Sequence, residues 1–287
     1  MPTSSQRFKV IQEDVPWSCP DGKTLLARVY RPSAIEGAPV LVNIHGGAWS
    51  SGDRTQADVY GHALAEAGCV VASIDFRDGR VSRHPSGTTD ALNGVRYARL
   101  HAEGWGGSPQ SLGLIGSSSG GHIALLAATH PAGSEESPLP PIVDVDGQAR
   151  VRADVDPSVA YVVGLWPVSD PHYRYRYAKR AGLTRLAEGG TSYFGDEAMM
   201  RTASVPRVVV AGEATQLPPA LVVQPGEDSN VPIEMTFDLL RAWQSRAGHI
   251  EYAHFPDQPH GFGGRASAET TNMVALVRDF VARFGPR

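Results

Sequence analysis

The chain has 287 residues, with 26 Lys+Arg against 30 Asp+Glu for a formal charge of −4, 41% hydrophobic residues, 31 Gly and 22 Pro. That much apolar material excludes a disordered chain, and the many helix-breaking residues disfavour an all-helical bundle. A slightly acidic balance without a basic tail lacks the electrostatic footprint of a nucleic-acid binder, so no nucleic-acid partner is expected. One domain over residues 1–287 is expected, because α/β folds commonly build roughly 250 residues around a single core.

The first fifteen residues mix Ser, Gln, Arg, Lys, Glu and Asp where a secretory signal needs an uninterrupted apolar run, which predicts a cytoplasmic protein. No apolar run approaches the ~20 residues that span a bilayer, so no membrane partner is expected either. Residues 8–14 and 24–31, joined through the turn signal Pro20-Asp21-Gly22, read as an antiparallel hairpin at a sheet edge. Beyond them, short apolar runs at 40–44, 70–75, 112–115, 160–165, 220–223 and 250–255 read as strands. They alternate with helical stretches at 56–67, 89–102, 121–130, 232–247 and 268–284. Such alternation predicts an α/β fold: a mostly parallel eight-stranded sheet, hairpin included, with helices on both faces. Segments 131–157 and 170–206 break the rhythm and are expected to be insertions forming loops or a small lid near a site. Cys69, in an apolar run, reads as a small buried hydrophobe, and two cysteines make no disulfide framework.

Gly116-Ser117-Ser118-Ser119-Gly120 follows one expected strand and opens an apolar helix, the strand–turn–helix setting of a G-x-S-x-G elbow. A strained turn can hold the central Ser118 in an unusual backbone conformation, with glycines on either side removing Cβ atoms that would clash. The bland alternative is a serine-rich cap, with Ser117 or Ser119 closing the helix start. His45-Gly46-Gly47-Ala48-Trp49 comes directly after residues 40–44, where glycines let backbone N–H groups turn toward a bound oxygen. The candidate donors to a developing oxyanion are the amides of Gly46, Gly47 and Ala48 together with that of Ser119, while the His45 ring reads as structural.

A serine hydroxyl is nearly inert at neutral pH and needs a base, and the base needs a carboxylate to fix its tautomer. His260, in a Gly- and Pro-shaped turn after residues 250–255, is the candidate base, and Asp228, after 220–223, the candidate carboxylate. Glu227 and Asp257 remain rivals for the acid; Asp228 is preferred because its place after a strand fits the chain order Ser, Asp, His. His254, within a strand, and His122, in the first turn of a helix, read as structural. Trp49 and Trp166, past strand ends, are candidate pocket walls. Tyr177 belongs to the segment His172-Tyr173-Arg174-Tyr175-Arg176-Tyr177-Ala178-Lys179-Arg180, whose interleaved rings and cations could select an aromatic or anionic acyl group or could simply be a solvated face.

Taken together, the elbow, the His-Gly-Gly-x-Trp loop, Asp228 with the following Val231-Pro232, and His260-Gly261-Phe262 resemble an α/β-hydrolase of the carboxylesterase type. Within that fold the chain is similar to bacterial acetyl-esterase, feruloyl-esterase-like and kynurenine-formamidase-like enzymes. It departs from the hormone-sensitive-lipase branch, which usually carries a third glycine at the place of Ala48 and an acidic residue at that of Ser117. The resemblance implies hydrolysis of small-molecule carboxylic esters through an acyl-enzyme on Ser118. An amidase with the same triad and an inactive hydrolase-fold receptor remain as alternatives, and a homodimer is left open. There is no His-Glu-x-x-His, no cysteine pair and no complete phosphate or dinucleotide loop, so neither metal nor cofactor is expected.

Overall fold

The computed structural model describes residues 7–130, 142–143, 149–150 and 154–285. In chain order the elements are β1 (Val10–Ser18), β2 (Leu25–Pro32), β3 (Ala38–Ile44), α1 (Asp58–Glu66), β4 (Val70–Ile74), α2 (Ser86–His101), β5 (Gly107–Ser117) and α3 (Ser119–Thr129). Next come β6 (Ile142–Val143), β7 (Ala149–Arg150), β8 (Tyr161–Leu165), α4 (Pro171–Arg180), α5 (Thr184–Phe194), α6 (Glu197–Thr202) and α7 (Val205–Val210). The chain then continues through β9 (Ala220–Glu227), α8 (Ile233–Ser245), β10 (Ile250–Pro259) and α9 (Ala268–Phe284). The strands form one sheet in the order β10-β9-β8-β5-β3-β4-β2-β1-β6-β7. Six neighbouring strands from β10 to β4 run parallel, and the β1–β2 hairpin joins them antiparallel at β4.

Because successive strand side chains point to opposite faces, each central strand feeds two apolar layers. Val40, Val42 and Ile44 of β3 pack in one layer with Leu92 and Val95 of α2, Ile123 of α3 and Leu239 of α8. Leu41, from the same strand, packs in the other with Leu64 of α1 and Val277 of α9. The sheet therefore carries helices on both faces, and its fold is that of an α/β-hydrolase. Cys19 and Cys69 are both free, and burial pushes the Cys69 thiol up to about 12.

Eight principal strands are accompanied by β6 and β7, two residues each, which extend the sheet beyond β1 through the pair Ser18↔Ile142. They come from the segment 131–157, expected near the site, most of which lies outside the described residues. The described strands of that segment lie away from Ser118, with β3, β4, β2 and β1 between them and β5. The other insertion holds four short helices, α4 to α7, between β8 and β9. Two start on aspartate caps: Asp170 accepts the N–H of Tyr173 and Asp196 that of Met199, satisfying donors that a helix start leaves open. Pro171 and Pro206 stand in first turns, where no backbone donor is lost. Among the described residues, no helix is long and apolar enough to cross a membrane.

Candidate active site

β5 runs into α3 through Ser118, whose φ of 54° and ψ of −120° lie in a region side chains rarely adopt. Two close backbone approaches hold it there. A Cβ on Gly116 would lie 2.3 Å from the Gly120 carbonyl oxygen, and one on Gly120 would lie 2.2 and 2.3 Å from the carbonyl oxygens of Ile44 and His45. The Ser118 N–H donates to Leu165 O at 2.9 Å and its carbonyl accepts from Val168 at 3.0 Å, so β8 pins the turn as well. Among the described residues no side chain caps α3, and none pairs with the buried Ser119 hydroxyl.

At the sheet edge, β9 and β10 stay in register to Phe255↔Pro225 and then slip before Pro259↔Glu227, an irregularity that re-aims the chain beyond it. A Cβ on Gly226 would lie 2.1 Å from Pro256 O, so only glycine lets the two strand ends close together. Asp228 and His260 thereby meet: His260 Nδ1 donates to Asp228 Oδ2 at 2.8 Å, and His260 Nε2 faces Ser118 Oγ at 3.0 Å. With the proton on Nδ1, the Nε2 lone pair is aimed at the serine hydroxyl. Asp228 Oδ1 accepts the N–H groups of Asn230 and Val231, both at 2.8 Å, so each carboxylate oxygen has its own task. The Asp228 side chain is 2% exposed and that of His260 20%. The rivals Glu227, at the end of β9, and Asp257, within β10, are both exposed.

Beside Ser118, residues 46–49 form a loop in which Gly47, Ala48 and Trp49 all have positive φ, of 118°, 54° and 59°. Gly46 passes so close that a Cβ there would sit 3.2 Å from the Ser118 Cβ. The loop carbonyls are engaged elsewhere, Gly47 O by Ser50 N–H and Ser51 Oγ and Trp49 O by Gly79 N–H. Among the described residues no acceptor takes the N–H of Gly47, Ala48 or Ser119. Those three amides are free to bind an oxyanion.

The aromatic and histidine candidates separate clearly. His45 is buried, stacked on Phe76 at 4.4 Å with Nδ1 on Gly46 O, and burial lowers its pKa. His122 is fully buried between Trp49 Nε1 and Ala203 O, with its pKa pushed down to about 3 by burial, so both ring nitrogens are engaged away from Ser118. His254, read as a structural histidine and not a base, stands exposed on β10 with its ring stacked on that of Tyr252, and it is His260 that meets Ser118. Trp49 is 1% exposed, packed against Tyr193, Phe194 and His122, and thus backs the oxyanion loop from behind. Trp166, 3% exposed with a positive φ of 41°, sets its ring edge-on to His260 at 6.3 Å. Tyr177 is half-buried and donates to Ser229 O at 2.9 Å, holding the loop that follows Asp228.

Composition and motif reading missed two features. Gly189 of α5 sits where a Cβ would be 2.4 Å from Ala48 O, so α5 rests directly on the oxyanion loop. Arg174 of α4 is buried, and its Nη1 donates to Asn230 Oδ1 at 2.8 Å. The signal for Arg174 was its helical spacing: Pro171, Arg174 and Ala178 form the buried stripe of α4. Among the described residues no group of three or more His, Cys, Asp or Glu could hold a metal ion.

A family model described as BD-FAE matches residues 28–243. The esterase LipC of Mycobacterium tuberculosis is 28% identical over 265 residues, covering 86% of this chain and 59% of its own length. The isoprenylcysteine alpha-carbonyl methylesterase ICME of Arabidopsis thaliana is 28% identical over 246 residues, covering 81% of this chain and 52% of its own. The chain thus spans somewhat more than half the length of these curated relatives. In fold it is similar to esterase 2 of Thermogutta terrifontis, solved phosphoramylated by tabun, with a TM-score of 0.74 and 21% identity over 100% of this chain and 98% of that one.

Proposed function

The chain belongs to the BD-FAE family, and from that membership and the site's geometry we propose that it is a serine hydrolase cleaving carboxylic esters of small or aromatic acyl groups. The observation that carries the reading is the unbroken relay from Ser118 Oγ through His260 to Asp228, at 3.0 and 2.8 Å, beside three unengaged amides. The esterase names of the relatives support it.

In the proposed reaction Ser118 Oγ attacks the ester carbonyl while His260 Nε2 takes its proton. The carbonyl electron pair moves onto oxygen, where the amides of Gly47, Ala48 and Ser119 receive it, with Gly46 giving the loop its close approach. Collapse of that intermediate expels the alcohol, protonated by His260, and leaves an acyl-enzyme. A water deprotonated by the same ring then releases the acid, and Asp228 offsets the imidazolium charge in both halves. Acyl selection is assigned to the inserted helices α4 to α7, the cap of this centre, through Tyr177 and the surroundings of Trp166, Trp49 being buried behind the loop. The chain is taken to work as one domain.

Hydrolysis of a p-nitrophenyl ester series from acetyl to dodecanoyl, with a benzoyl member, tests the proposal. Short and aromatic esters are expected to turn over, and Ser118→Ala to lose roughly 10⁴-fold or more of kcat while melting like the wild type. Near-normal activity in that variant, or no labelling of Ser118 by a fluorophosphonate in folded protein, would overturn it.

A further inference from the structure

Arg174 is 1% exposed, yet among the described residues its guanidinium reaches no carboxylate within ion-pair distance. Its Nη1 donates to Asn230 Oδ1 at 2.8 Å, its Nη2 lies 3.5 Å from Leu186 O, and its Nε has no partner among the described residues. The guanidinium carbon lies 5.1 Å from the ring centre of Trp49. One cation thus touches the loop that carries the acid, the loop that carries the oxyanion donors and the neighbouring cap helix α5. Burial lowers its pKa to about 10 and the charge of Arg185 acts in the same direction, while Asp228 acts against them, so it is protonated at neutral pH. Burying such a charge is unfavourable, and a position that needed only packing would be filled as well by an apolar side chain of similar volume. A planar, stacked and forked cation is useful where three separate pieces of backbone must be held in one orientation.

We propose that Arg174 is a positioning residue that orients Asp228, and through it His260, by locking the acid's loop to the cap and to the back of the oxyanion loop. The link is short. Asn230 offers its side-chain oxygen to Arg174 and its backbone N–H to Asp228 Oδ1, so fixing Asn230 fixes the carboxylate. Tyr177, further along α4, grips the preceding carbonyl, that of Ser229. The start of α4 is itself tied down, since Asp170 accepts from both Tyr173 N–H and Ser204 Oγ. The role rests on the proposed function of Ser118, His260 and Asp228, and it adds a residue that needs no contact with the substrate.

The test compares wild type, Arg174→Gln, Arg174→Lys, Asn230→Ala and the double variant Arg174→Gln/Asn230→Ala. It reads kcat and KM on p-nitrophenyl acetate, the rate of fluorophosphonate labelling of Ser118, and thermal melting. Arg174→Gln is expected to lower kcat and the labelling rate by about 10- to 100-fold, the range a small misplacement of reacting groups produces, with KM changed less than about twofold. Arg174→Lys should recover part of that loss. The double variant should be no slower than Arg174→Gln, because both changes break one link. Multiplying losses, wild-type labelling in Arg174→Gln, or a loss explained wholly by a smaller folded fraction would each overturn the proposal. If Arg174→Gln does not fold, Asn230→Ala decides: a reduced labelling rate supports the link and a wild-type rate overturns it. A wild type that neither labels nor hydrolyses would instead remove the proposed function, and the positioning role with it.

Discussion

Ser118 stands between β5 and α3 in the interior of the sheet, whereas Asp228 and His260 follow β9 and β10 at its margin. In the interior, position is set by backbone against backbone: Gly116 on Gly120, Gly120 on Ile44 and His45, Gly46 on Ser118. At the margin, beyond the close pass of Gly226 on Pro256, it is set by polar contacts: Asp228 by two backbone N–H groups, their loop by Arg174 and Tyr177, His260 by Asp228 and the edge of Trp166. Steric contacts tolerate almost no added atom, while hydrogen bonds of about 1 kcal/mol each can be exchanged one at a time. Changes to the backbone packing around Ser118 are therefore expected to show as misfolding, and changes to the contacts around Asp228 and His260 as misalignment.

Four measurements can break or sharpen that contrast. Asp228→Asn should lower kcat about 10⁴-fold with an unchanged melting temperature, because an amide facing His260 favours the wrong tautomer; a large drop in melting temperature would mean that the marginal half is also fixed by packing. Gly120→Ala should cost about 3 kcal/mol or more by thermal or denaturant unfolding, since its Cβ has nowhere to go. Gly264→Ala, in open space, should stay within about 0.5 kcal/mol and serves as the control.

A third measurement tracks stability against pH. His122, behind the oxyanion loop, has a pKa held near 3 in the fold against 6.5 for the free side chain, so the unfolded chain binds its proton first. Its own contribution to stability should be flat above pH 6.5 and fall by about 1.4 kcal/mol per unit on acidification until the pH nears 3, about 2 kcal/mol by pH 5. His84, lowered to about 4 by burial, acts in the same direction. His122→Gln should flatten the slope in equilibrium unfolding; an unchanged slope would place the titration elsewhere. The smallest effects are expected from Glu227→Gln and Asp257→Asn, both exposed, with kcat/KM within about twofold of wild type. A loss beyond about tenfold in either would reopen the choice of acid.

The same contrast explains how much could be read from the sequence. The elbow was legible because glycine spacing around Ser118 is a local demand of one turn, and Asp228 and His260 because each follows a recognisable strand in the expected order. The parallel sheet and its two apolar layers followed from the period of the short apolar runs. The strand ends were less legible, since β5, β9 and β10 run on through polar and glycine residues whose pairing depends on neighbouring strands. Trp49 followed a strand like a pocket wall, but its burial is decided by Tyr193 and Phe194, far along the chain. Arg174 sat in a segment of alternating rings and cations that looked alike in composition, and only the helical stripe with Pro171 and Ala178 separates it from the exposed Arg176 and Arg180.

Among the described strands β10 has a single neighbour, β9, and the residue it delivers meets a serine 142 positions earlier. Closing so long a loop carries an entropic penalty that nearby contacts do not, which favours early formation of locally paired regions. On the proposed reading, Ser118 meets its proton acceptor only where β9 has docked on β8 and β10 on β9, so a chain lacking that margin of the sheet is expected to turn over no ester even with its elbow formed.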